Sequence, residues 1–195
     1  LQRFPGRQPA AILFDLDGTL VDSAPDIALA LDGTMQAAGF PPPGEVRTRD
    51  WIGNGSRVLV KRALAWANGH AGGEQENTME ERVFEGFLAH YAGSNGAASR
   101  HYDGVLAALR HWHRRTVPMA VVTNKPLQVA PPLLAGLGIE EYFPVLLGGE
   151  CVAEKKPSPM PLLHACEQLG VQPHHSLMVG DSGNDVLAAK AASMP

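Results

Sequence analysis

The stretch AAILFDLDGTL, residues 10–20, decides the fold. Its opening apolar run, ending in carboxylates, reads as a buried strand of a parallel sheet. Such sheets open their sites at the carboxyl ends of the strands, where Asp15 and Asp17 fall. In extended backbone, residues two apart share a face, so both carboxylates point the same way. Negative charges held that close repel, and a divalent cation or a shared proton relieves them. One carboxylate can then hold Mg²⁺ while the other moves protons. Gly18 permits the sharp turn that follows. Taken alone, the string also fits a strand entering an ordinary Asp-Gly turn.

Three more strings narrow the choice. The run VPMAVV, residues 117–122, ends in Thr123-Asn124, a hydroxyl and an amide suited to phosphate oxygens. In Lys155-Lys156-Pro157-Ser158-Pro159 a fixed cation precedes a stiff turn that a helix can follow. The run SLMV, residues 176–179, enters Gly180-Asp181-Ser182-Gly183-Asn184-Asp185. That adds a third carboxylate at a strand end and a fourth at a helix start. Each has a bland reading as a turn, a surface lysine or an N-cap. Their joint order does not.

That order (D-x-D-G-T, T-N, K-P-x-P, G-D-S-x-x-D) resembles the haloacid dehalogenase superfamily of phosphohydrolases. Within the superfamily the chain is similar to the bacterial phosphoglycolate phosphatases. The strings carrying the likeness are DLDGTLVDS (15–23), WIGNGSRVLVKRAL (51–64), TNKP (123–126), GGE (148–150) and GDSGNDVLAAKAA (180–192). The resemblance runs from about residue 10 onward.

Composition sets the bounds. A chain of 195 residues allows one domain with a sizeable insertion, or two small ones. A net charge of −4 leaves no basic footprint, so nucleic acid is not an expected partner. Cys151 and Cys166 are the only cysteines, which suggests neither a disulfide framework nor zinc and makes a reducing cytoplasm the default. No apolar run is long enough for a membrane span. The opening LQRFPG, residues 1–6, lacks a signal-peptide core and reads as a loose tail. A monomer or homodimer is expected.

Strand candidates lie near residues 10–14, 119–122, 145–147 and 177–179. Between the first two, helical signals fill residues 22–99. Ser23-Ala24-Pro25 starts a helix that Gly39 closes, and helical apolar spacing runs over 58–67 and 79–91. Residues 93–99 read as a small-residue linker. The expected architecture is a Rossmann-like α/β core of a parallel sheet, residues 1–21 and 100–195, with a helical cap, 22–99, inserted after the first strand. Asp103-Gly104 starts the helix before the second core strand. Pro131-Pro132 makes the segment 127–137 bend or become helical late. Relatives similar to this chain continue past its last helix through another strand and helix. The core is therefore expected to lack its C-terminal strand and to expose an edge open to pairing.

The resemblance also implies roles. Asp15 would be the nucleophile, forming an aspartyl-phosphate. Mg²⁺ held by Asp15, Asp181 and the backbone carbonyl of Asp17 would offset repulsion between nucleophile and phosphate, with Asp185 ordering the metal shell or Lys156. The Asp17 carboxylate would protonate the leaving alkoxide and then take a proton from water. Thr123 and the backbone N–H of Asn124 would hold phosphoryl oxygens, and Lys156, rather than Lys155, would balance charge. Asp22 and Asp26 are assigned to a helix N-terminus.

Substrate choice is expected from the cap, because the core can only recognise phosphate. The loop Gly53-Asn54-Gly55-Ser56-Arg57 could present Arg57 to the carboxylate of 2-phosphoglycolate; it could equally be an interhelical turn with a solvent-facing Arg. Lys61 is a weaker candidate. His111 and His113 diverge on a helix and His174-His175 falls in a surface loop, so neither pair reads as a metal site. The expected function is an Mg²⁺-dependent phosphatase of a small phosphate ester, 2-phosphoglycolate foremost. A broad-specificity small-molecule or sugar phosphatase or a phosphomutase of the same superfamily, and a catalytically weak binding protein, are the alternatives. A metal-free dehalogenase would not need Asp17, Thr19 and Asp181 together.

Overall fold

In the computed structural model, residues 8–68, 74–94 and 96–195 are described. The expected tail at 1–6 lies outside them. The described chain forms two compact units, one from residues 8–22 with 100–195 and one from the described residues between 23 and 99.

The first unit is built on four short parallel strands: β1 (Ile12–Phe14), β4 (Met119–Val122), β5 (Val145–Leu147) and β6 (Leu177–Val179). They lie in the order β5-β4-β1-β6, so β1 is central and the chain crosses over it to reach β6. Phe14 pairs with Val121 on one side and with Val179 on the other. The charged strand ends therefore emerge together, at the point where strand order reverses.

Alternation along the strands feeds two separate cores. Ile12, Phe14, Met119 and Val121 pack on one face with Leu109 of α5 (Val105–Arg114) and with Leu133 and Leu134 of α6 (Ala130–Gly136). Leu13, Ala120, Val122 and Leu147 pack on the other with Leu162 and Ala165 of α7 (Met160–Leu169) and Ala188 of α8 (Gly183–Ala191). Helices on both faces of a parallel sheet explain why these strands are apolar throughout. Truncating a fully buried side chain here, such as Leu133, costs about 2–5 kcal/mol.

Local chemistry places the helix ends. Gly104, with a left-handed φ of 86°, precedes α5. Pro131 and Pro132 occupy the first turn of α6, where a missing N–H costs nothing, so that helix begins late as its sequence requires. Ser182 and Asp185 form a reciprocal capping box on α8. β6 is an edge of the described sheet, and its Met178 N–H donates to the Pro195 carbonyl at 3.2 Å. No described helix is long and apolar enough to cross a membrane.

The second unit consists of α1 (Ala24–Ala37), α2 (Gly44–Trp51), α3 (Ser56–Asn68) and α4 (Glu74–Ser94), with α1 packed on α2 and α4. Ile27, Leu31 and Met35 of α1, and Val83, Phe87 and Tyr91 of α4, are buried at the i, i+4, i+8 spacing of a helical stripe. Phe87 and Tyr91 stack with centroids 5.5 Å apart.

Three expectations need correction. α4 runs through Gly93 to Ser94, so the linker is shorter than the small residues suggest. A two-residue antiparallel ladder, β2 (Val21–Asp22) with β3 (Arg100–His101), flanks the helical segment; elements that short show no period in sequence. Asp22 is thus a strand residue opposite Arg100. Asp26 does lie in the first turn of α1, but its hydrogen bonds go outside that helix. It is 0% exposed, and its carboxylate accepts from the backbone N–H groups of Gly96, Ala98 and Ser99 and from the Ser99 hydroxyl. It ties the end of the helical unit to its beginning.

Candidate active site at the ends of the parallel strands

β1 delivers Asp15 to the mouth of the sheet, where its N–H donates to the Val179 carbonyl of β6 at 2.9 Å. The chain then turns tightly: the N–H groups of Thr19, Leu20 and Val21 all point to the Leu16 carbonyl. Gly18 sits in this turn at φ 89°, and a Cβ there would stand 2.3 Å from an Asp181 carboxylate oxygen. Only glycine lets the turn approach Asp181 so closely. Thr19 donates its hydroxyl to Asp181 Oδ1 at 2.9 Å, fixing that carboxylate from the opposite strand end.

Lys156 is the charge centre. Its ammonium lies 2.9 Å from Asp15 Oδ1, donates to Asp185 Oδ1 at 2.6 Å and donates to the Val122 carbonyl at 2.7 Å. The Lys156 and Asp185 side chains are each only 2% exposed. A buried cation is tolerable with that set of partners and costly without it. Asp185 also accepts from the Ser182 N–H and hydroxyl, so the α8 cap aims its carboxylate at Lys156.

Burial raises the Asp15 carboxyl to about 6; Lys156 opposes that rise, while Asp185 and Asp17 reinforce it. A carboxylate so placed is poorly solvated and therefore reactive once ionised.

Asp15, Asp181 and Asp185 each offer an oxygen within 4.8 Å of the others. Hard, closely spaced carboxylate oxygens suit a hard divalent cation such as Mg²⁺. The close approach that Gly18 allows belongs to the same cradle. The Asp17 carboxylate is not one of that group and is held by Lys125 Nζ at 2.8 Å.

Thr123 and Asn124 follow β4 and are buried. The Thr123 hydroxyl oxygen accepts from the Lys125 N–H at 3.1 Å, which leaves its proton to donate. Asn124 donates its side-chain amide to the Lys156 carbonyl at 3.0 Å, linking this loop to the K-P-x-P turn. Gly149 closes on the loop too: its N–H donates to the Lys125 carbonyl, and a Cβ there would meet the Asn124 carbonyl at 2.6 Å.

The structure thus brings Asp15, Asp17, Thr123, Asn124, Lys156, Asp181 and Asp185 to one end of one sheet. Arg57 belongs to the helical unit, where both guanidinium nitrogens bond Glu81, at 2.5 and 3.0 Å, and the group lies over Phe84. His111 takes a hydrogen bond from Arg115 while His113 meets Tyr142 edge-on, so the two histidines face different partners. Lys125 escapes the sequence reading. Its cue is the cation directly after Thr-Asn, which taken alone looks like a turn lysine.

A family model for haloacid dehalogenase-like hydrolases matches residues 9–193, and the chain belongs to that family. Several relatives are phosphoglycolate phosphatases by name. Phosphoglycolate phosphatase 1 of Pseudomonas aeruginosa is 44% identical over 191 residues, covering 98% of this chain and 69% of that protein. The crystal structure of a predicted phosphoglycolate phosphatase from Haemophilus somnus 129PT superposes with a TM-score of 0.88 at 35% identity, covering 98% of this chain and 83% of that one. CbbY from Rhodobacter sphaeroides in complex with phosphate gives a TM-score of 0.80 at 25% identity over 96% of this chain and 84% of that one.

Proposed function

We propose that the protein is an Mg²⁺-dependent phosphatase that hydrolyses 2-phosphoglycolate to glycolate and phosphate through a phosphorylated Asp15. The observation that carries this reading is the set around Asp15: a buried carboxylate with Lys156 at 2.9 Å and two further carboxylates within ligand reach.

The uncatalysed hydrolysis of a phosphate monoester is very slow, so the site must neutralise, position and activate. Asp15, Asp181 and Asp185 would hold the metal, which when bound offsets charge between the anionic nucleophile and the phosphate. An Asp15 oxygen attacks phosphorus as the ester oxygen departs. The Thr123 hydroxyl and the Asn124 N–H donate to phosphoryl oxygens while Lys156 balances charge. Asp17 gives its proton to the departing alkoxide, then removes one from the water that releases phosphate and restores Asp15. Asp185 and Ser182 keep Lys156 in place.

The substrate reading is supported by the names of the relatives and by the anionic, hydrogen-bonding chemistry of the site. Arg57 is the sequence's candidate for the substrate carboxylate; in that role, Arg57→Ala would weaken phosphoglycolate turnover far more than that of a neutral ester. Two unpaired cysteines, Cys151 and Cys166, are consistent with work in the cytoplasm.

The test is acid quenching during turnover, followed by mass mapping. A phosphoryl group on the peptide containing Asp15, absent from Asp15→Asn together with activity, is the expected result. Retained turnover in Asp15→Asn ends the assignment.

A further inference from the structure

We infer that Lys125 is the residue that selects for a carboxylate on the carbon bearing the phosphate. The inference rests on the phosphatase reading above and names the group that reads its substrate.

Lys125 Nζ lies 2.8 Å from Asp17 Oδ1, and the two side chains are only 2% and 12% exposed. Its backbone is pinned on both sides: its N–H donates to Thr123 Oγ1 at 3.1 Å, and its carbonyl accepts from Gly149 N–H at 2.9 Å. This is a preorganised, poorly hydrated cation, and it ion-pairs with Asp17, whereas Lys156 takes Asp15 and Asp185. The phosphoryl chemistry already has Lys156, so that chemistry leaves Lys125 unexplained.

Its position next to Asp17 explains it. To protonate the leaving group, Asp17 must come within about 3 Å of the ester oxygen. In 2-phosphoglycolate a single carbon separates that oxygen from the carboxylate. A cation touching Asp17 is therefore within reach of a carboxylate on the next carbon. One ammonium carries three N–H donors and can serve an Asp17 carboxyl oxygen and the substrate carboxylate together. Low solvent access strengthens such a pairing. An ester whose carbon carries only a neutral group gives Lys125 nothing more to hold. Arg57 is forked onto Glu81 within the helical unit.

The experiment compares kcat/KM for 2-phosphoglycolate and for 2-hydroxyethyl phosphate, which replaces the carboxylate with a neutral alcohol. Any effect that Lys125→Gln has through Asp17 falls on both esters and cancels in the ratio. We expect the wild-type preference to collapse by about 100-fold in Lys125→Gln, mainly through KM for phosphoglycolate. Lys125→Arg, which keeps the charge on Asp17 but moves it, should restore part of that loss. Should Lys125→Gln be inactive on both esters, Lys125→Arg decides: a ratio lowered about tenfold supports the assignment, and an unchanged ratio overturns it. Equal losses on both esters in Lys125→Gln overturn the Lys125 assignment while leaving the substrate reading intact. A wild-type enzyme without preference removes the substrate reading, and the selectivity assignment with it.

Discussion

Lys156 Nζ stands 2.9 Å from Asp15 Oδ1, joining the end of β1 to the turn before α7 inside a buried site. Because the same ammonium meets Asp185 at 2.6 Å, it balances two carboxylates that would otherwise repel. Lys156→Met should therefore lower kcat by about 10²–10³-fold. Unfolding should become easier as well, by a few kcal/mol, because two buried carboxylates lose their counter-charge; about 3–5 kcal/mol is the usual cost of breaking such a set. Steady-state kinetics and urea titration on one sample measure both, and a variant with wild-type kcat would exclude Lys156 from the chemistry.

A second expectation concerns acid. In the folded, metal-free protein Asp15 is raised from 3.8 to about 6. Between these values the folded state keeps a proton that the unfolded chain has lost. The Asp15 contribution to stability is thus fully present below pH 4 and disappears as pH rises through about 6, with a total of about 3 kcal/mol. Urea unfolding across pH 4–7 should show that falling component, and Asp15→Asn should abolish it. A slope unchanged in the variant would place the raised carboxyl elsewhere.

Chelation provides a third. Removing divalent ions should abolish turnover, and Mg²⁺ at about 100 times its dissociation constant should stabilise the fold by about 2.7 kcal/mol. Asp181→Asn keeps the Thr19 contact sterically but withdraws a charge, so half-maximal activity should require at least about tenfold more Mg²⁺. Full activity in chelator would contradict a metal at these carboxylates.

Asp26 supports a prediction about the helical unit alone. Its carboxylate collects three N–H groups and a hydroxyl from residues 96–99. Asp26→Ala leaves the buried Ser99 N–H and hydroxyl, and the half-buried Gly96 and Ala98 N–H groups, without this acceptor and should cost about 2–3 kcal/mol. Hydrogen exchange at Ala98 and Ser99 should accelerate while β4 amides keep their protection. Unchanged exchange at both residues would show that the network does not hold this segment.

The parts of the site that sequence made legible were those with a local signature. Asp15 and Asp17 follow an apolar strand, Asp181 follows another, and each strand needs nothing beyond its own residues to be recognised. Lys156 was separable from Lys155 by its place before Pro157, and Asp185 by its spacing from Ser182. What stayed hidden depends on distant partners. Asp26 lies one turn into a helix, where an acid has an ordinary helical role, and only folding brings residues 96–99 to it. Lys125 meets Asp17 because β1 and β4 pair in parallel with Phe14 opposite Val121, a register that no single segment encodes. β2 and β3 are too short to display a period at all.

The most direct measurement is phosphate release from 2-phosphoglycolate with and without Mg²⁺, alongside a panel of sugar phosphates and an aryl phosphate. The account predicts turnover that depends on Mg²⁺ and favours phosphoglycolate by at least about tenfold over every other ester. Equal turnover across the panel, or turnover indifferent to Mg²⁺, would contradict it.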